Sequence, residues 1–267
     1  MNLLEVSNLS KKFGGVQANS DVSFSVKREQ IVGIIGPNGA GKTTTFNLIS
    51  GFFSPTTGRV IFDGQEFSNI TPAKAARKGL IRTFQHTNVF TDLSVYENIM
   101  TGQHLVSSKF MFDSFLRQKK YLEDLKKLNK RTNDILLLLE LEDKKDVIAK
   151  QLSYGDQRKL AIGIALAADP KLLMLDEPEA GMNDTESVKL VEIIRKLRDK
   201  GLSILIVEHD MKVVMNLCDY IVVLDQGRKI AEGTPKEVST NKNVIEVYLG
   251  TTEEDEIEEM KEIVADA

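Results

Sequence analysis

Gly36-Pro37-Asn38-Gly39-Ala40-Gly41-Lys42-Thr43-Thr44 fits the pattern G-x-x-x-x-G-K-[ST] at every defined position. Before it runs Ile31-Val32-Gly33-Ile34-Ile35, an apolar stretch that reads as a buried strand, and after it a helix is expected from Lys42 to Ser50, stopped by Gly51. Glycines at 36, 39 and 41 let the backbone wrap closely around a phosphate. The loop N–H groups and the following helix N-terminus then face the anion. In that geometry Lys42 reaches the β- and γ-phosphates of a nucleoside triphosphate, and Thr43 offers its hydroxyl to Mg²⁺. A chance glycine-rich turn does not need a buried strand on one side and a helix on the other. This stretch therefore sets both the α/β class and the expectation of nucleotide binding.

Working outward, residues 3–7 and 22–26 read as strands around a turn at Phe13-Gly14-Gly15, and Arg59-Val60-Ile61-Phe62 as a strand entering an Asp63-Gly64 hairpin turn. From Leu93 to Leu141 Gly and Pro become scarce, and Leu122, Leu125, Leu128, Ile135, Leu136 and Leu139 recur near helical spacing. This predicts an inserted helical subdomain over about 90–168, which includes a helix after Ser153. Leu172-Leu173-Met174-Leu175 and Ser203-Ile204-Leu205-Ile206-Val207 are uniformly apolar, as parallel strands covered on both faces are. A helix from about Thr185 to Lys200 lies between them. A helix over 211–217, a strand at 220–224, a turn at Asp225-Gln226-Gly227 and a final strand complete the pattern.

Composition narrows the class. With 42% hydrophobic and 28% charged residues the chain is ordinary globular stock, and no apolar run approaches the roughly 20 residues that span a bilayer. The start, Met1-Asn2-Leu3-Leu4-Glu5, has no signal-peptide pattern, and the lone Cys218 fits a reducing compartment, so a cytoplasmic location is expected. The net charge of −4 conceals an acidic end: Glu253 to Asp266 holds eight acids against one base, Lys261. Such charge density opposes burial, so residues 251–267 are read as an acidic tail outside the folded domain at 1–250. The mildly basic remainder has no basic run interleaved with aromatics, and no nucleic-acid partner is expected.

Three further constellations carry chemistry. Asp176 and Glu177 end the strand at 172–175, and strand C-termini are where open α/β sheets bind ligands. Two adjacent acids there suit two roles: Asp176 holding Mg²⁺, and Glu177 polarising an attacking water. His209 ends the strand at 203–207, where it can reach the γ-phosphate, whereas His86 and His104 read as structural. The histidines and the single cysteine make no zinc spacing. Leu152-Ser153-Tyr154-Gly155-Asp156 opens a helix, with Ser153 as cap and Gly155 permitting close approach, so it is either a second anion site or an ordinary N-cap.

Together these segments resemble the nucleotide-binding subunits of ABC transporters over residues 3–250. The resemblance implies a P-loop NTPase fold with an N-terminal antiparallel β subdomain and an inserted α-helical subdomain, and ATP with Mg²⁺ as cofactors. Phe13 matches the aromatic that stacks on adenine, Gly36 to Thr44 the Walker A loop, and Gln85 the Q-loop glutamine that joins Thr43 and Asp176 around the metal. Leu152 to Asp156 matches the signature motif, Asp176 and Glu177 the Walker B aspartate and catalytic glutamate, Ala180 to Asn183 the D-loop, and His209 the switch histidine. Ile81 to Gln85, Leu93 to Ile99, Ala180 to Asn183 and Val244 to Gly250 look most like the branched-chain amino acid importer ATPases, while the lipopolysaccharide-export ATPase is similar in some of them. Asp156, Ile164 and Glu179 depart from the usual signature glutamine, following arginine and small post-Walker B residue. An acid at 156 suits the helix dipole but would repel a phosphate it faced, so it is expected to point away.

The resemblance implies an ATP-hydrolysing subunit of a membrane transporter, importing branched-chain amino acids. Two ATP molecules would lie in a head-to-tail dimer with a second ATPase subunit, identical or a sibling, each between Walker A of one subunit and Ser153 and Gly155 of the other. Transmembrane permease subunits would be driven directly, and a substrate-binding protein would act through them. The protein would sit peripherally on the inner face of the cell membrane. Lipid or lipopolysaccharide export is the rival within the class. A soluble ABC protein of translation or DNA repair is the rival outside it, although those usually carry two cassettes, zinc or coiled-coil insertions.

Overall fold

A computed structural model describes residues 1–83, 89–103 and 118–249. The chain divides into two compact units: Met1–Ala75, Met174–Glu177 and Leu197 onward form the first, and Ala76–Leu173 with Pro178–Lys196 the second.

The first unit opens with β1 (Asn2–Phe13) and β2 (Val16–Lys27), an antiparallel hairpin turned by Gly14-Gly15. After β3 (Ile31–Ile35) and α1 (Lys42–Ile49), β4 (Thr57–Phe62) and β5 (Gln65–Glu66) form a hairpin through Asp63 and Gly64, both at positive φ as a two-residue turn requires. These strands make an antiparallel sheet of order β2-β1-β4-β5. β1 and β2 run to 12 residues each, well beyond the five-residue stretches that the apolar pattern suggests. Their extra length is polar and bulged, with register shifts after Val6 and Leu9 and positive φ at Asn8 and Asp21. Backbone pairing continues there without side-chain burial, so hydrophobic alternation does not report it.

The helix α2 (Pro72–Arg77) leads to the second unit, which contains β6 (Leu80–Arg82), α3 (Val95–Gly102), α4 (Gln118–Leu138), α5 (Tyr154–Ala167), the start of β7 (Leu172–Asp176) and most of α6 (Asp184–Asp199). α3 starts in a capping box: the Glu97 N–H donates to the Ser94 hydroxyl, and the Ser94 N–H donates back to the Glu97 carboxylate at 2.8 Å. Asn98, wholly buried, accepts from the Phe90 N–H and donates to the carbonyls of Phe90, Leu93 and Ser94, which fixes the loop ahead of α3. Glycines set the helix approach. A Cβ on Gly102 would come within 2.3 Å of the Ile164 carbonyl oxygen, so α3 and α5 touch almost backbone to backbone.

The first unit resumes with β8 (Ser203–Val207), α7 (Met211–Leu217), β9 (Tyr220–Asp225), β10 (Arg228–Gly233), α8 (Pro235–Ser239) and α9 (Lys242–Leu249). The larger sheet has the order β10-β9-β3-β8-β7-β6. β3 pairs in parallel with both β8 and β9, so its five residues are buried on both faces. A Cβ on Gly33 would lie 2.8 Å from Cys218 Sγ, so this glycine admits the end of α7 onto the central strand. That contact absorbs the lone cysteine as a buried apolar group.

Candidate functional site

The phosphate loop follows the central strand, and its shape is set by what surrounds it. A Cβ on Gly36 would lie 2.0 Å from the Leu224 carbonyl oxygen, and one on Gly41 2.7 Å from the Asn19 amide nitrogen. Gly36, Gly39 and Gly41 all have φ in the left-handed half of the map, where only glycine is unstrained. Gly39 has open space around it, so its glycine is required by conformation alone. Pro37, Asn38 and Gly39 rise to the surface, while Ala40 is buried and its N–H closes a turn onto the Pro37 carbonyl at 3.1 Å. Lys42, 8% exposed, folds back over the loop and donates to the Gly36 carbonyl at 2.5 Å and the Pro37 carbonyl at 3.1 Å. Its ammonium is thereby held inside the loop's curve. Thr43 is exposed at the first turn of α1, and Thr44 is half-buried beside it.

The remaining first-unit candidates end neighbouring strands. Asp176, 6% exposed, closes β7. Glu177 follows at φ 45°, and its N–H donates to the Val207 carbonyl at 2.9 Å, which ties the end of β7 to the end of β8. A non-glycine residue held there costs of order 1 kcal/mol, a kind of strain concentrated at functional sites. His209 follows β8 with its ring 58% exposed, and Nδ1 stands 3.9 Å from the carboxylate of the buried Glu208. The sheet order β3-β8-β7 thus brings the loop, His209 and the Asp176-Glu177 pair to adjacent strand ends.

Phe13 stands at the tip of the β1–β2 hairpin, paired with Val16 and 42% exposed. Phe53 packs edge-on against it at 5.2 Å, and the Lys11 ammonium lies 5.1 Å from its ring centre. Two ties bring this hairpin to the phosphate loop. The Asn19 amide donates to the Gly41 carbonyl, while the Ser20 N–H donates to the Gly227 carbonyl and the Gly227 N–H to the Ala40 carbonyl. Sequence reasoning missed Asn19 altogether and saw Gly227 only as a turn. Both act through tertiary contacts that leave no local pattern.

Ser153 and Gly155 belong to the second unit. Ser153 caps α5 by accepting from the Asp156 N–H at 3.2 Å. A Cβ on Gly155 would lie 2.6 Å from a Glu186 carboxylate oxygen, so α6 crowds this glycine within the subunit itself. Asp156 turns to Lys144, whose ammonium reaches its carboxylate at 2.6 Å, with Lys159 at 3.9 Å. That hydrogen bond raises the Lys144 pKa above 10.5. Glu179 accepts from the Ser187 hydroxyl, and Ile164 lies half-buried where α5 meets α3. Gln85, His86, His104 and the acidic tail lie outside the described residues.

The donor set suits a nucleoside triphosphate with Mg²⁺. Among the described residues no cluster of three or more metal-ligating side chains occurs. Mg²⁺ characteristically takes one or two protein oxygens and completes its shell with phosphate and water. The glycine cradle, the Lys42 ammonium, the Thr43 hydroxyl and the Asp176 carboxylate fit that demand. No helix among the described residues is long and apolar enough to cross a membrane.

Comparison with known proteins agrees with this chemistry. The family described as "ABC transporter" matches residues 19–180, and the one described as "Branched-chain amino acid ATP-binding cassette transporter" matches residues 228–254. The high-affinity branched-chain amino acid transport ATP-binding protein BraF of Pseudomonas aeruginosa is 39% identical over 249 residues, 93% of this chain and 98% of that protein. The lipopolysaccharide export system ATP-binding protein LptB of Escherichia coli is 36% identical over 250 residues, 94% of this chain and 98% of that protein. Among solved structures, the ADP conformation of an ATP-binding cassette of an ABC transporter superposes with a TM-score of 0.80 at 32% identity, covering 94% of this chain and 99% of that one. The fold expected from the sequence, a P-loop ABC ATPase with an antiparallel β subdomain and helical parts, is the one found. The chain belongs to the family of ABC transporter ATP-binding subunits, which bind and hydrolyse ATP.

Proposed function

We propose that this subunit powers import of branched-chain amino acids through separate membrane permeases. The match of residues 228–254 to a family described by that transport carries the substrate class, supported by the 39% identity to BraF. In this reading residues 1–250 are the ATPase cassette, residues 90–168 its helical insertion and 251–267 an accessory tail. Adenine stacks on Phe13, and the loop from Gly36 to Thr44 holds the phosphates. Mg²⁺, held by Thr43, Asp176 and Gln85, would neutralise phosphate charge. Glu177 accepts a proton from the attacking water, and His209 and Gln85 orient the γ-phosphate and that water.

Each ATP lies between this loop and Ser153 and Gly155 of a second ATPase subunit, a copy or a sibling. The protein works on the cytoplasmic face of the membrane, where permease helices dock near Gln85 and the helical insertion. Phe90, 53% exposed and gripped through its backbone by Asn98, offers a rigid aromatic contact for them.

The test is ATPase activity of the complex reconstituted with its permeases. A binding protein loaded with leucine, isoleucine or valine should raise it. Linkage is the reason: the binding protein speeds hydrolysis only by favouring the closed ATP dimer through the permeases. Free leucine should not stimulate the isolated subunit. The 36% identity to LptB supports one rival. Stimulation by lipopolysaccharide, with no response to any loaded binding protein, would move the reading to export. Stimulation by ribosomes or DNA without permeases would overturn transport.

A further inference from the structure

Asn19, on β2, is completely buried, yet a buried polar side chain is costly unless its hydrogen bonds are met. Its amide nitrogen donates to the Gly41 carbonyl at 3.2 Å and to the Thr45 hydroxyl at 3.0 Å. Its Oδ1 has no hydrogen-bond partner among the described residues. An apolar side chain branched at Cγ, as in leucine, would carry no orphaned oxygen, so burial alone gives no reason for an amide here. The amide orientation is fixed by its surroundings. Turned over, Oδ1 would confront the Gly41 carbonyl, two acceptors in opposition.

The residues it grips close the phosphate loop. The Gly41 carbonyl also accepts from the Thr45 N–H at 2.9 Å and the Thr45 hydroxyl at 3.0 Å, so it anchors the first turn of α1. The peptide that begins at this carbonyl carries the Lys42 N–H, and a tilt of that peptide swings the N–H groups facing the phosphates. The adjacent Gly41 has φ 93° and no room for a Cβ, because the Asn19 amide and the Ala18 carbonyl fill that space.

We propose that Asn19 is a positioning residue of the nucleotide site: its carboxamide ties β2 to the exit of the phosphate loop and fixes the tilt of the Gly41–Lys42 peptide. The inference rests on the reading of this loop as the nucleotide site. The unsatisfied oxygen is then a stability cost tolerated for nucleotide affinity. Asn19 also joins the phosphate loop to the strand that leads, three residues away, from the Phe13 hairpin tip. Base and phosphate subsites thereby share one rigid frame.

The test titrates Asn19→Leu and the parent full-length chain with a fluorescent ATP analogue plus Mg²⁺, alongside ATPase kinetics and thermal melts. Expected are a nucleotide Kd and KM raised about three- to tenfold, the range for one lost neutral hydrogen bond, with kcat within about twofold and Tm unchanged or higher. Unchanged affinity would overturn the proposal. If Asn19→Leu folds poorly, Asn19→Ala decides. It removes the same donor without adding bulk, so the nucleotide Kd should rise by a similar factor, and unchanged affinity would overturn the proposal. Lys42→Ala is titrated in parallel. If it too keeps full affinity, the loop is not the nucleotide site and the underlying reading fails; if it loses affinity while Asn19→Leu does not, only the role of Asn19 fails.

Discussion

Glu177 joins two constraints in one residue, a left-handed backbone and a carboxylate at a strand end beside the Val207 carbonyl. Glu177→Gln keeps the side chain's shape and leaves the backbone's demands unchanged, so folding should be unaffected. An amide accepts no proton from water, and turnover should fall by roughly 10²–10⁴ while ATP binding persists. Gel filtration should show the variant dimerising with ATP, and a monomer hydrolysing at the wild-type rate would sink the assignment. At this scale the placement of Asp176, Glu177 and His209 at strand ends was legible from sequence, because uniformly apolar runs stop just before them. That Lys144 receives Asp156 was not legible, because the pairing is made by the fold and leaves no local pattern. Asn19 was invisible, since its partners lie in another element and its own neighbours are ordinary strand polars.

Among the elements, α3 offers a test of local design. Its Glu97 carboxylate is held below its ordinary pKa of 4.5, chiefly by the Ser94 backbone N–H and then by the Ser94 hydroxyl. A depressed folded-state pKa means the stabilisation is present above about pH 4.5 and disappears as pH falls through the lower folded value. Glu97→Gln should therefore melt below the wild type at pH 7, and the gap should close as acid protonates Glu97. A Tm difference constant from pH 7 to pH 3 would contradict this. The uniformly apolar strands and the α5 cap were readable from sequence because burial on both faces and capping chemistry leave strong local marks. The tips of β1 and β2, the two-residue β5 and the short α2 and α8 were not: bulged polar pairing and single-turn helices have no periodicity to detect.

At the level of the whole molecule, the nucleotide-site candidates from Phe13 to His209 all precede Gly250 and the acidic end follows it. Deleting residues 253–267 should leave basal hydrolysis within about twofold, since such charge density opposes burial in a core. A large loss would make the tail a catalytic or dimer-forming element. The order of the parallel strands could not be read from sequence, because β3 borrows both neighbours, β8 and β9, from the far end of the chain. The contact of Gly36 with the Leu224 carbonyl has a consequence for synthesis on the ribosome. Until β8 has emerged, the buried strand β3 has neither lateral partner, and until β9 has emerged the loop after it lacks the surface that moulds it. Such an unpaired edge invites association with other nascent chains. The protein must therefore be nearly complete before it can hold a nucleotide, and ATP can act as a ligand that rewards finished chains while offering no help to truncated ones.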